Sequence, residues 1–254
     1  IADDPQLAAD LKFLDRPQTA PGFIVAALQA RKAAGLKPFT VISCDNIPHN
    51  GKRIRAGVIA MARHVDPALA DWIEAEGAFP QTMIDRIVPA TTSDDIVRLT
   101  ARLGVEDRGM VKAEPFTQWV LEDAFGAGRP RFEDAGVQVV DDVAPYELMK
   151  LRLLNASHQA LCYPGRLAGL EYAHEVCSDP LYVAYLLAYM ELEATPTLRE
   201  VPGVDLDDYR RTLIERFANP EIRDTLARLC AEASDRIPKW LVPVIRENLE
   251  AGRP

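Results

Sequence analysis

The sequence predicts an α/β portion over residues 1–143 followed by an all-α portion over 144–254. Three observations carry this reading. Short β-branched runs bounded by turn residues recur up to Val143, with helical patterns between them. From Pro145 onward no such run occurs, and apolar residues return at helical spacing. Alternating strand and helix signals describe βα units, whereas unbroken helical periodicity describes a helix-packed domain. The division falls at Ala144-Pro145.

In the first portion, Pro21 to Ala34 places Phe23, Ile24, Ala27 and Leu28 on one helical face, and Gly35 stops the helix. Phe39-Thr40-Val41-Ile42-Ser43 is short and β-branched, lies between Gly35/Pro38 and Asp45-Asn46, and reads as a buried strand. A polar loop, Cys44 to Gly51, leads to a helix marked by Ile54, Val58, Ile59 and Met61. Asp66-Pro67 supplies an N-cap and a first-turn proline for the next helix, through Trp72 to Gly77. Ile84–Pro89 reads as a strand, Ser93 as the cap of a helix ending at Gly104, and Phe116–Leu121 and Val137–Val143 as two further strands. Between these last two lies a turn rich in Gly126, Gly128 and Pro130.

In the second portion the spacing predicts helices over 145–162, 166–177, 180–193, 206–218, 220–233 and 238–250. Pro164-Gly165, Asp179-Pro180, Asp205, Asn219-Pro220 and Pro238 punctuate them. The longest apolar run, Leu181–Met190, is about half of what a bilayer requires and reads as a buried helix. No internal repeat and no low-complexity tract occurs.

Composition narrows the function classes. The 254 residues carry 38 acidic and 29 basic side chains, a net charge of −9. Neither counterion release nor long-range attraction favours a nucleic acid or an anionic membrane as partner. Hydrophobic residues make up 48% and charged residues 26%, the balance of a globular protein. Cys44, Cys162, Cys177 and Cys230 are far apart without a CxxC, which reads as buried, reduced thiols in a cytoplasmic protein. The opening residues have no basic n-region or apolar h-region, and the chain begins on Ile1.

Two places offer chemistry. Asp45, Asn46, His49 and Asn50 crowd the loop after the Phe39–Ser43 strand, where open α/β sheets bind ligands; caps and turns are the plainer use of the same residues. The second is the helix from Glu147 to His158. At about 100° per residue from Lys150, Glu147 lies at about 60°, His158 at about 80° and Asn155 at about 140°, with Leu151 and Leu154 in the same arc. A snorkelling lysine, a core histidine or a Glu–Lys pair would each account for one of these residues. Together they describe a site in which a desolvated lysine takes a proton from an alcohol while carboxamide N–H groups hold the oxygen. No HExxH, no Cys/His ligand spacing and no GxSxG occurs, so neither a metal nor a serine nucleophile is expected.

Lys150-Leu-Arg-Leu-Leu-Asn155-Ala-Ser-His158 resembles the Lys-x4-Asn-x2-His motif of the polyol-specific long-chain dehydrogenase/reductase family. Ser43-Cys-Asp-Asn46-Ile-Pro-His-Asn-Gly51 is similar to that family's other hallmark segment. Phe79-Pro-Gln-Thr-Met-Ile84-Asp85-Arg86-Ile-Val-Pro89 is close to its Val-Asp-Arg signature, with Ile84 in place of the valine. The likeness runs from about Lys37 to Leu249. It implies the terminal part of a Rossmann-type domain plus a mainly helical, C-terminal substrate domain. The implied activity is NAD-dependent and zinc-independent interconversion of a sugar alcohol and a ketose of the D-mannitol/D-fructose type, with NADP as an alternative cofactor. In that light Lys150 is the general base, Asn46 and Asn155 donate to the reacting oxygen, and His158 positions a substrate hydroxyl. Asp85 binds another hydroxyl, Glu147 sits beside the lysine, and Arg228 and Arg236 lie near the polyol. A lysine is the family's residue at the last position, so Arg236 is a departure.

The family's GxGxxxR-like dinucleotide loop has no counterpart here. Gly126-Ala-Gly128 is followed by Arg129-Pro130 and does not join a strand to a helix. The chain therefore reads as a central to C-terminal portion of a protein nearly twice as long, with an unpaired first strand. Two alternatives stand beside this reading: a hexuronate reductase of the fructuronate type, and a catalytically silent helical interaction module. The partner expected is a small polyol or ketose, and nothing in the sequence specifies an oligomeric state.

Overall fold

A computed structural model describes residues 5–253. The opening at Ile1 lies outside the described residues. The chain forms two compact units. Unit 1 runs through Ile84 and takes up Gln118–Ala144; unit 2 comprises Asp85–Thr117 and the chain from Pro145 on.

Unit 1 contains α1 (Pro5–Asp10), α2 (Ala20–Ala33), α3 (Asn50–Val65) and α4 (Pro67–Glu76), with a sheet of β1 (Thr82–Asp85), β2 (Gln118–Glu122) and β3 (Gln138–Val140). The strand order is β1-β2-β3, and β2 pairs with β3 in parallel, Leu121 opposite Val139. Thr19 caps α2 by accepting from Gly22 N–H, and the buried Asp10 carboxylate in turn accepts from Gln18 N–H, Thr19 N–H and the Thr19 hydroxyl. Asp66 caps α4 through Ala68 N–H, as its sequence predicts. Val25, Leu28, Val58, Met61, Leu69 and Ile73 are buried together as the core of α2, α3 and α4.

The expected strand at Phe39–Ser43 does not form. The segment has no strand assignment, although Val41 N–H bonds Ala78 O. A β-branched run selects extended backbone, but a strand also needs a ladder partner. The Ile84–Pro89 strand is displaced to Thr82–Asp85, because Ile87 N–H bonds the Glu114 carboxylate and Ile87 O accepts from Glu114 N–H.

Unit 2 begins with α5 (Ser93–Leu103), capped one residue earlier than expected by Thr92, whose hydroxyl and N–H complete a capping box with Asp95. Gly104, at φ 72°, closes it. The helical run then comprises α6 (Ala144–Met149, entering from unit 1), a π-turn (Lys150–Asn155) and α7 (Ala156–Leu167). Beyond it lie α8 (Ala173–Val176), α9 (Pro180–Ala188), a second π-turn (Tyr189–Ala194), α10 (Leu206–Phe217), α11 (Leu226–Cys230), α12 (Ala233–Trp240) and α13 (Val242–Glu250). Leu153, Leu161, Leu186, Met190, Leu213 and Leu226 are fully buried.

Three helix expectations are corrected. α7 continues through Pro164 to Leu167, and 166–177 is not one helix. Ala173 N–H bonds Asp224 O and Leu226 N–H bonds Glu171 O, so Tyr172 and Thr225 pair as an isolated antiparallel bridge inside stretches where helices were expected, and the helices begin only after it. Residues 238–250 divide between α12, which contains Pro238, and α13. The helix at Leu181–Met190 forms, but only one face is buried: Leu186 and Met190 are covered, whereas Leu181 is 76% exposed. Among the described residues no helix is long and apolar enough to cross a membrane.

Candidate active site

The α6–α7 run carries the predicted Lys150–His158 face, and the π-turn modifies it. Ala156 N–H bonds Leu151 O, five residues back. A π-turn inserts one residue into an α-helix and shifts the faces on either side of it. The 100° arithmetic therefore overstates the angle between Lys150 and Asn155. The Arg152 carbonyl accepts from the hydroxyl of Tyr189, the first residue of the second π-turn. The buried Arg152 guanidinium donates to Thr197 O and pairs with Glu247 of α13. The two irregular turns thus brace each other, and the first of them begins at the predicted base.

Lys150 is 6% exposed. Burial is the main cause that pulls its ammonium below the ordinary lysine value; Asp85 raises it, Arg216 lowers it and Glu147 raises it. Asp85 is itself 3% exposed and forms a bidentate pair with Arg216: Nη1 to Oδ2 at 2.8 Å and Nη2 to Oδ1 at 2.9 Å. Arg216 also donates through Nε and Nη2 to Glu114, at 3.0 and 2.8 Å. Burial opposes the Arg216 charge, but the two carboxylates outweigh it and hold the guanidinium ionised. Tyr209 is buried against the same group. Desolvation, followed by Asp85, pushes its phenol above the usual range.

His158 is half-buried, its ring 4.6 Å from Phe217. Desolvation lowers its pKa to about 4; Asp224 opposes that shift, and Arg228 and Arg216 add to it. It is therefore a neutral imidazole at neutral pH. Asn155 is 6% exposed, on the same run. Arg228, on α11, is exposed and pairs with Asp224 through Nε at 2.7 Å. Arg236, on α12, donates to Arg228 O and pairs with Glu232, its guanidinium over the Trp240 ring.

In unit 2, Asp85, Arg216 and Glu147 act on Lys150, and Asp224, Arg228, Arg216 and Asp85 act on His158, with Asn155 buried on the same helical run. Arg236 is tied to Arg228 and Glu232. Asn46 belongs to unit 1, where it is exposed. In that loop the structural use of the polar residues is clear for Asn50. Its carboxamide donates to Thr82 O and accepts from Thr82 N–H, as a strand neighbour would. Arg216, Glu114 and Tyr209 were not among the predicted residues. Charged and phenolic side chains on a helix or loop read as solvated faces when no partner is visible in sequence.

This set can hold a polyol hydroxyl against an ionised carboxylate, offer a neutral imidazole as donor or acceptor, and accept a proton on a lysine whose charge is disfavoured. All four cysteines are free; Cys162 and Cys177 are buried as expected, Cys230 is half-buried, and Cys44 is exposed, contrary to the expectation of four buried thiols. Among the described residues no three His, Cys, Asp or Glu gather as a metal-binding group. The Gly126-Ala-Gly128 stretch does not fit the cradle of a dinucleotide pyrophosphate. Gly126 and Gly128 follow β2 but lead into a 3-10 turn at Phe132–Ala135, not a helix N-terminus.

Residues 4–134 match the family model described as the mannitol dehydrogenase Rossmann domain, and residues 142–254 the mannitol dehydrogenase C-terminal domain. The chain belongs to the mannitol dehydrogenase family. The mannitol 2-dehydrogenase of Pyrenophora tritici-repentis is 49% identical over 256 residues, covering 99% of this chain and 45% of the relative. That of Aspergillus fumigatus is 51% identical over 253 residues, covering 98% and 50%. Among solved structures, the Pseudomonas fluorescens mannitol 2-dehydrogenase ternary complex with NAD and D-mannitol has a TM-score of 0.87 at 49% identity, over all of this chain and 51% of that one. D-sorbitol dehydrogenase in substrate-free form has a TM-score of 0.95 at 38% identity, over all of this chain and 52% of that one. The chain spans about half the length of the curated relatives it matches. The family read from the three motifs is the one found, and so is the fold class, a Rossmann-type part followed by a helical domain.

Proposed function

We propose that the protein carrying this chain is an NAD-dependent polyol dehydrogenase that interconverts D-mannitol and D-fructose without a metal ion. In this reading residues 1–143 complete the dinucleotide domain and residues 144–254 form the substrate domain. The protein works in the cytoplasm, where its four free thiols stay reduced. The observation that supports it most is the buried Lys150, its ammonium disfavoured by desolvation, with the buried Asp85 and the half-buried Glu147 acting on it.

The bound nicotinamide supplies the hydride acceptor. In the oxidative direction neutral Lys150 accepts the carbinol hydroxyl proton as the carbinol carbon gives up its hydride, leaving a ketone and an ammonium; reduction returns both. Asn46 and Asn155 donate N–H groups to the reacting oxygen as it gains negative charge. His158, neutral at working pH, orients a neighbouring hydroxyl, and Asp85 accepts a hydrogen bond from another. Glu147 favours the ammonium and so helps keep the lysine protonated for its role as the acid of the reductive direction. Arg228 and Arg236 lie near the polyol, and Arg228 also acts on His158.

The test is NADH formation by the full-length protein with D-mannitol, D-sorbitol and D-mannonate, and with NADP in place of NAD. Mannitol and NAD are expected to be preferred; a preference for mannonate would assign the hexuronate chemistry instead. Lys150→Ala is expected to remove about 10²- to 10⁴-fold or more of turnover with the fold retained. Unchanged turnover in a folded variant, or no dinucleotide reduction with any polyol, would overturn the assignment.

A further inference from the structure

Arg216 touches no substrate in the reading above, which the present inference extends, yet it is fixed on every side. Four donor contacts from its guanidinium are committed to two carboxylates, Asp85 and Glu114, and Phe116 lies 3.9 Å beneath it. Glu114 is fixed in turn: its Oε1 accepts from Ile87 N–H at 2.6 Å, its N–H donates to Ile87 O, and its carbonyl accepts from Arg86 Nε. Residues 86 and 87 directly follow Asp85. The chain thus closes a ring in which Glu114 holds the backbone at Ile87, two residues after Asp85, and Arg216 holds the Asp85 carboxylate. All three residues are below 9% exposed.

Buried ion clusters are poor sources of stability. Apolar replacements of similar volume often fold as well or better, because desolvation cancels the attraction. A buried trio of two anions and one cation beside a candidate base therefore calls for a use other than stability. Orientation is one. An ionised carboxylate has about four lone-pair sites, and the guanidinium fork takes two. The remaining two lie in a plane that Arg216 sets and point away from it.

We propose that Arg216, anchored by Glu114 and Phe116, is a positioning residue that fixes the carboxylate plane of Asp85 and thereby aims its outer lone pairs at one polyol hydroxyl. Arg216 does not touch the substrate; its effect passes through Asp85. The same fork keeps Asp85 from turning its inner lone pairs to a misplaced hydroxyl, so the trio selects for a hydroxyl at one carbon.

The test uses the full-length protein and polyol-dependent NADH formation. Glu114→Gln keeps the volume and one acceptor but loosens the anchor. Arg216→Lys keeps the charge and removes the fork. Each is expected to raise KM for the polyol about 10-fold or more, a loss on the scale of one charged hydrogen bond, with KM for NAD unchanged. Each is also expected to narrow the preference for the intact polyol over its monodeoxy analogues. In an Asp85→Asn background Glu114→Gln is expected to add no further rise, because the path through Asp85 is already cut. A lowered melting temperature with polyol KM unchanged would make the trio merely structural and overturn the proposal. So would a Glu114→Gln effect that persists undiminished without Asp85. If Arg216→Lys does not fold, Glu114→Gln alone decides. A wild-type protein inactive on every polyol would sink the functional reading and this inference with it, whereas an active wild type with indifferent variants sinks only the positioning role.

Discussion

The pH dependence of stability gives the most direct physical check on the site, because it reads the burial of His158 without any substrate. In the unfolded chain this imidazole takes up a proton as pH falls through 6.5, whereas in the folded chain it does so only near pH 4. Across that window the unfolded state binds more protons, so acidification destabilises the fold. The full difference corresponds to about 3 kcal/mol, and between about pH 8 and about pH 5 the loss is about 2 kcal/mol. His158→Gln removes the titration and keeps a polar side chain of similar reach. The contact with Phe217 is lost too, but that loss does not change with pH and cancels in a double difference. Urea unfolding of the full-length wild type and variant at both pH values supplies the four free energies. The wild type is expected to lose about 2 kcal/mol more than the variant on acidification. Parallel losses within about 0.5 kcal/mol, or a wild type that gains on acidification, would show that this ring is not desolvated in the folded protein.

Asp85→Asn removes a charge that raises the Lys150 pKa, so the acid limb of the kcat/KM profile for polyol oxidation is expected to move to lower pH; a limb that stays or rises contradicts the coupling. Asn50→Leu leaves the Thr82 N–H and C=O, both in a buried stretch, without their side-chain partner. It is expected to lower the unfolding free energy by about 2–6 kcal/mol, measured by denaturant titration. Gly51→Ala would place a Cβ 2.6 Å from Pro80 O and 2.7 Å from Phe79 O. Both are backbone atoms that cannot swing aside, so a loss of about 1–3 kcal/mol is expected, and a neutral effect in a melting experiment would refute the close approach.

What was legible in the fold was mostly local. The caps at Asp66 and Asp179 and the glycine stop at Gly104 depend on residues within one turn of the helix end, and they fall where the sequence places them. The failures depend on distant chain. The run at Phe39–Ser43 has strand chemistry without a ladder. The supposed helices at 166–177 and 220–233 are broken because Tyr172 and Thr225 bridge each other, some fifty positions apart in sequence. Pro164 looks like a stop signal but lies inside α7, where the next residue, Gly165, leaves no room for a Cβ beside Val176 and Leu226. For Leu181–Met190 hydropathy identifies the helix and overstates its burial. Periodicity marks an apolar face, and only packing decides what covers it.

The site divides along the same line. Lys150, Asn155 and His158 are legible because one helix carries them, and their spacing is a property of that helix. The π-turn beneath them is not, since no residue type marks the inserted position. The Asp85–Arg216 contact joins residues 131 positions apart and the Glu114–Arg216 contact residues 102 apart, so neither leaves a pattern in any window. That distance matters for the chemistry. Asp85, Glu114 and Arg216 together carry one surplus negative charge, and the Lys150 ammonium balances it. Seen alone, a lysine among leucines gives up its proton readily. Seen with the trio, it gives it up against an anion that Arg216 only partly neutralises. The base is therefore tuned by opposing causes, with burial the largest, and the balance is struck by three residues outside the Lys150–His158 motif, Asp85, Arg216 and Glu147.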